Sequence, residues 1–261
     1  MRSLWTGAIG FGLVNIPVKL YAATQESSLD LDMLDKKNYS NVRYMRVNAS
    51  TGKEVPWENI VKGYKYNDEY VVLTDEDFEK VSPKKSKIVE ISEFVSEDSL
   101  DRSFYDTPYY AEPAKGGDKA YVLLREALKQ SGKIAVGEFV LRSKENLCVL
   151  RPQGEVLVVQ KIRFPEEIRD YKELNIPSGI SVSAAELKMA QALIAQLTPK
   201  KFSIAKYKDT YDDELMKIIE AKAKGKTVKK PVFKLVHNKN TDLLSQLKES
   251  LATKPARKKA S

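Results

Sequence analysis

The sequence predicts a β-rich α+β chain whose core is a barrel. Three observations lead there. Many short segments rich in Val, Ile, Tyr and Phe are separated by Gly, Asn, Asp or Pro, which is the rhythm of a barrel or sandwich. Helical periodicity is confined to a few stretches. The C-terminal stretch abandons both patterns and becomes strongly basic.

Taken in order, the opening run MRSLWTGAIGFGLVNIPVKLYAAT alternates, with Ile9, Phe11 and Leu13 on one face. After a phase slip at Val14-Asn15, Ile16, Val18 and Leu20 share a face. Side chains two apart lie on one side of a strand, so the expectation is a single bent strand with a bulge. Gly7, Gly10 and Gly12 mark places for close backbone approach. The same run has the outline of an export signal, but Asn15, Pro17 and Lys19 interrupt what such a signal keeps apolar. Further strands are expected over Val42–Val47, Ile60–Tyr66, Tyr70–Leu73, Ile88–Phe94, Tyr109–Glu112, Ile134–Arg142, Leu147–Arg151 and Val156–Phe164.

Helices are expected at five places. Asp118 caps Lys119–Ser131, with Gly132 as the stop. Ser183-Ala-Ala-Glu186 is a capping box opening a helix to Leu197, with Leu187, Ala190, Leu193 (or Ile194) and Leu197 on one face. Tyr211–Lys224 ends at Gly225, and Leu243, Leu244, Leu247 and Leu251 fit one face of a short helix. Thr74-Asp-Glu-Asp77 reads as the cap and acidic first turn of a short helix, in preference to a metal-binding cluster.

Composition narrows function. No apolar run approaches the 18 residues of a membrane span. One cysteine, Cys148, and one histidine, His237, exclude an intrachain disulfide and a Cys/His zinc site. Gly7-x-x-Gly10-x-Gly12 lies inside a strand pattern and is no dinucleotide loop, and neither GxxxxGK[ST] nor GxSxG occurs. The expectation is a binding protein without catalytic residues, cofactor or metal. Net charge is +8, yet Lys222–Ser261 alone carries +10, leaving the preceding residues at −2. A near-neutral body of residues 1–225 is thus joined to a basic extension of residues 226–261, the kind of tail that binds nucleic acid by counterion release.

RSLWTGAIGFGLVNIPVKLYAAT resembles the N-terminal signature of the bacterial Ku proteins. GKEVPWENIVKGYKYNDEYVVLTDEDFE, PYYAEPAKGGDKAYVLLREAL, KIAVGEFVLRSKENLCVLRPQGE and AKYKDTYDDELMKIIEAKAKGK follow in the family's order. The resemblance implies a Ku-like β-barrel core with an inserted ring-forming arm. It implies a homodimer that threads onto double-stranded DNA ends without sequence specificity. It also implies recruitment of an ATP-dependent DNA ligase for non-homologous end joining, in a bacterial cytoplasm and at the nucleoid. Many bacterial relatives carry a cysteine pair where this chain reads Asn48-Ala49-Ser50-Thr51-Gly52, so any metal-linked role of that pair is absent.

Within that frame the candidate DNA-binding residues are basic clusters. Lys36, Lys37, Arg43, Arg46 and Lys53 bracket an expected hairpin, KKNYSNVRYMRVNASTGK. Arg43 and Arg46 differ by three positions and would face opposite sides of one regular strand. Lys84, Lys85 and Lys87 follow Pro83 on a loop assigned to the arm. The tail supplies Lys226, Lys229, Lys230, Lys234, Arg257, Lys258 and Lys259. Phosphate contacts carry no direct sequence information, as repair of arbitrary breaks requires. The strands of Ile134–Phe164 and the segment Lys87–Pro113, taken as arm, are the expected dimer surfaces. The alternative is a barrel that binds RNA or single strands by stacking on Tyr39, Tyr44, Tyr64, Tyr66, Tyr109 and Tyr110; a nuclease is a third reading.

Overall fold

The computed structural model describes residues 1–81, 87–142, 144–226 and 243–252. Two units emerge, Met1–Tyr171 and Lys172–Ser261. The division at 225/226 is one of charge, whereas this one is of contacts.

The first unit holds a closed seven-stranded barrel. Its opening run is not one bent strand. It is a hairpin of β1 (Trp5–Phe11) and β2 (Val14–Ala22), with Phe11 opposite Val14. The phase slip is the turn Gly12-Leu13. Gly12 has φ +55, the conformation that a two-residue turn asks of its first residue when that residue is glycine. Alternation across such a turn imitates a bulge, because both arms point the same face inward. Ile9 and Ile16 are cross-strand partners and both are buried, while Leu13 at the tip is fully exposed. Gly7 faces the same way as Ile9, and a Cβ there would collide with the Lys87 carbonyl oxygen.

After β2 the chain leaves the barrel through residues 23–87. It passes a two-stranded hairpin, β3 (Lys62–Tyr66) and β4 (Glu69–Leu73), and a helix α1 (Asp75–Val81). It returns as β5 (Ile88–Ser96), followed by β6 (Tyr105–Pro113), α2 (Asp118–Ser131), β7 (Lys133–Leu141), β8 (Lys144–Gln153) and β9 (Val156–Ile162). Around the barrel the order is β1-β2-β6-β9-β8-β7-β5. Closure comes from parallel pairing of β5 with β1, Ile88 beside Ala8 and Val89 beside Ile9. Lys87–Pro113 therefore belongs to the barrel and not to an arm. No regular strand forms over Val42–Val47; only Val47 bridges, to Glu54.

The interior is packed by Ile9, Ile16, Val18, Leu20, Val89, Leu150, Leu157 and Val159 with Phe139. Phe139 meets Trp5 and Tyr109 edge-on, with centroids 6.3 Å away in both cases. Such aromatic pairs are worth about 0.5–1.5 kcal/mol beyond their area. Helix α2 covers one end of the barrel, burying Tyr121, Leu124 and Leu128. The Tyr121 hydroxyl donates to the Ala111 carbonyl and accepts the Leu157 N–H, both at 2.7 Å, which pins the helix to β6 and β9. Asp118 is the first helical residue and does not cap it. The cap position is Gly117, where a Cβ would come within 2.8 Å of the Pro17 carbonyl oxygen. Gly132, with φ +63, ends the helix as expected.

The second unit contains α3 (Ala184–Leu197), α4 (Tyr211–Ala223) and α5 (Leu243–Ala252). The Ser183 capping box is present, with Ser183 N–H donating to Glu186 Oε2 at 2.8 Å and Glu186 N–H to Ser183 Oγ at 3.3 Å. Ala190 and Leu193 are half-buried on α3, whereas Leu187 and Leu197 are exposed. Helix α3 packs on α5. None of the described residues of this unit is buried. Among the described residues no helix is long and apolar enough to cross a membrane.

Candidate nucleic-acid interface

The described residues between 23 and 87 form an excursion with no core. Not one of its described residues is buried. Its order comes from local turns. In the first, Leu34 bridges to Asn41, the Tyr39 N–H donates to the Asp35 carbonyl at 2.7 Å, and the Lys37 N–H donates to the Asp35 carboxylate at 2.8 Å. Side-chain acceptors of this kind reproduce a backbone turn and hold it without packing. Lys36 and Lys37 sit on that turn, exposed.

A second loop closes where Val47 bridges to Glu54. Asn48 Oδ1 accepts the N–H groups of Ser50 and Thr51 at 2.9 and 3.0 Å. Asn48 thus organises this loop. The expected single hairpin over residues 36–53 is therefore two successive loops, with Arg43 between them. Flanking the Val47–Glu54 bridge, Arg46 lies opposite Val55 and Asn48 opposite Lys53. Opposed and alternate residues share a face, so Arg46 and Lys53 are on the same side of this ribbon. The Arg46 guanidinium stacks over Trp57, 4.5 Å from the ring centroid. Trp57 is itself 70 % exposed, so the charge is steadied without being neutralised.

The excursion continues in the β3–β4 hairpin, turned by Asn67 and Asp68 at positive φ. Tyr64, Tyr66 and Val71 share one face and are exposed. Helix α1 opens as expected: the Thr74 N–H donates to Asp77 Oδ2 at 3.0 Å and the Asp77 N–H to Thr74 Oγ1 at 3.3 Å. The Thr74 N–H, then the Thr74 hydroxyl and the Lys80 ammonium, donate to the Asp77 carboxyl and hold it below the usual carboxylate range. The excursion is clamped at its return, where the Lys87 carbonyl accepts the Ala8 N–H at 2.8 Å.

Among the described residues Lys36, Lys37, Arg43, Arg46, Lys53, Lys87 and Lys226 are exposed and make no ion pair. Lys84, Lys85, Lys229, Lys230, Lys234, Arg257, Lys258 and Lys259 lie outside the described residues. Of the tyrosines considered for stacking, Tyr39, Tyr44, Tyr64 and Tyr66 are exposed, Tyr110 is half-buried and Tyr109 belongs to the barrel core. Sequence reasoning passes over Arg142 and Lys144, which flank the β7–β8 turn and are exposed. Their signal is the apolar alternation on both sides of LRSK, which marks a hairpin tip. The barrel also has cations that serve its own fold: Asp106 takes Lys161 at 3.1 Å and Arg163 at 3.6 Å. Cys148 is buried, and burial pushes its thiol up to about 12, which removes it as a nucleophile. Among the described residues no group of three or more His, Cys, Asp or Glu is placed to hold a metal.

A β-barrel is also what the comparison with known families gives. The family model of the Ku70/Ku80 beta-barrel domain matches residues 10–189. The chain belongs to the Ku family. It is 39 % identical over 267 residues to the non-homologous end joining protein Ku of Coxiella burnetii, covering 99 % of this chain and 97 % of that one. It is 40 % identical over 226 residues to the protein of the same name from Pseudomonas aeruginosa, covering 85 % and 77 %. The archaeal Ku of Archaeoglobus fulgidus is 39 % identical over 230 residues, covering 87 % of this chain and 90 % of its own. In this Ku chain the family match begins inside β1 and ends inside α3, so it spans the excursion and the barrel from the end of β1 onward.

Proposed function

We propose that this Ku chain binds the ends of double-stranded DNA as a homodimeric ring, as a non-enzymatic factor of non-homologous end joining in the bacterial cytoplasm. One observation carries the reading: an ordered excursion without a core, bearing unpaired cations, rooted on a closed barrel. A two-stranded hairpin with exposed Tyr64, Tyr66 and Val71 is marginal alone in water. It gains stability when a second copy covers it, and a two-fold pair supplies the matching surface. Lys36, Lys37, Arg43, Arg46 and Lys53 then face a ladder of phosphates, one charge per roughly 1.7 Å of duplex axis. Lys87 extends the set at the return to the barrel, and Lys84 and Lys85 are assigned to it by sequence. The ring reads no bases and so accepts any break. The basic extension, with Lys226, Lys229, Lys230, Lys234, Arg257, Lys258 and Lys259, holds duplex beyond the ring or docks an ATP-dependent DNA ligase.

The test has two parts. Sedimentation of the protein at micromolar concentration should give twice 29.5 kDa. Binding is then compared on linear duplex, closed circular duplex and single strands, with a cleavage control. The expected result is retention on linear duplex alone, without cleavage. Equal retention on closed circles rejects threading, and preference for single strands favours stacking on Tyr39, Tyr44, Tyr64 and Tyr66.

A further inference from the structure

We propose that the β7–β8 turn is an additional phosphate-contacting site for duplex DNA, with Arg142 and Lys144 as its contact residues. The inference rests on the DNA-binding reading above and extends the interface from the excursion onto the barrel itself.

Strand directions place the turn. Strand β2 runs out at Ala22, opposite Tyr109 of β6, while β5 starts at Ile88 beside Ala8 of β1. Because β1 and β2 are antiparallel, with Trp5 opposite Leu20, both roots of the excursion lie at the end of the barrel where β1 begins. Strand β7 runs antiparallel to β5, with Glu90 opposite Glu138, so its last residues return to that same end. There Leu141 pairs with Lys144 and the chain turns. Arg142 and Lys144 thus join Lys87 at the mouth from which the excursion springs. Helix α2, between the end of β6 and the start of β7, covers the opposite end. A duplex gripped by the excursion runs past the first end and not the second.

Two features separate these cations from ordinary surface charge. Arg142 has φ 53. Two-residue hairpin turns favour Gly, Asn or Asp there, because a Cβ in the left-handed region crowds the backbone. Conformational cost of this kind gathers where a side chain has a task. In addition, among the described residues neither Arg142, Lys144 nor Lys87 has an ion-pair partner, although exposed Glu145 follows directly. Lys161 and Arg163, by contrast, are both paired with Asp106.

The experiment measures salt dependence of binding to a blunt linear duplex by fluorescence anisotropy, on the full chain. R142G/K144Q is compared with wild type and with K115Q/K129Q, whose exposed lysines lie just before α2 and in its last turn. Glycine suits φ 53, so the melting temperature of R142G/K144Q should match wild type. Each phosphate contact adds about 0.9 to the log–log slope, so the double variant should lose at least about 0.9 and the α2 pair nothing. If R142G/K144Q melts early, K144Q alone decides by the same slope, since that side chain is exposed. A wild-type slope and affinity in the variant overturns the proposal and leaves the DNA-end reading standing. Wild-type protein that ignores the duplex overturns both.

Discussion

At Gly137 on β7 there is no room for a side chain. A Cβ would press on the Glu90 carbonyl oxygen and lie 3.0 Å from its carbon, both of them backbone atoms of β5. The neighbour cannot rotate away as a flexible side chain would. Gly137→Ala should therefore destabilise the barrel by about 1–3 kcal/mol, the usual cost of overpacking. Urea unfolding followed by tryptophan fluorescence measures it, and an unchanged midpoint would mean that β5 yields without cost. Alternation along KIAVGEF indicates the strand, but the partner across the sheet is what makes glycine obligatory there. A residue's neighbours along the chain are legible in sequence; its neighbours across the barrel are not. The same distinction applies to Gly117, which precedes the expected cap Asp118 and faces the Pro17 carbonyl oxygen.

Elements whose start signals are local were legible in the sequence. Thr74 with Asp77, Ser183 with Glu186 and Gly132 are signals contained in a few residues, and each does its expected work. The β1–β2 hairpin was misread for a physical reason: an in-phase turn and a bulge leave the same alternation, and only Gly12's positive φ separates them. The Ser183 box yields a pH prediction. Hydrogen bonds from the Ser183 hydroxyl, and then from its backbone, hold the Glu186 carboxyl below its usual range. A carboxyl lowered in the folded state stabilises above its unfolded pKa, and that support is lost as pH falls through the folded one. Helical signal by circular dichroism should thus decline on acidification toward pH 3. Ser183→Ala should begin with less helix at pH 7 and show a shallower decline. An identical titration in the variant would remove the box as the cause.

For the whole molecule, the division between a near-neutral body and a basic extension belongs to sequence, since charge needs no fold to be counted. Its consequence for binding is additive. Deleting residues 226–261 should weaken duplex binding and flatten its salt dependence, by about 0.9 in slope for each phosphate contact removed. An unchanged slope would mean that the extension does not touch DNA. Deletion should not abolish binding, because the excursion's cations remain. The clustering of arm cations was legible; their grouping was not. Arg46 and Lys53 come onto one face through the Val47–Glu54 bridge, and Arg142 reaches the excursion's mouth through pairing across three strands.

The manner in which the barrel closes has a mechanical consequence. Both roots of the excursion are bound to β1, β2 along one edge and β5 along the other. A pull on the excursion, outward along the barrel axis, draws on the end of β2 and the start of β5 together. Ladder hydrogen bonds lie across the strands, so an axial pull shears them as a group instead of peeling them one by one. Tension on the excursion is thereby spread over both edges of β1, and β1 serves as its anchor.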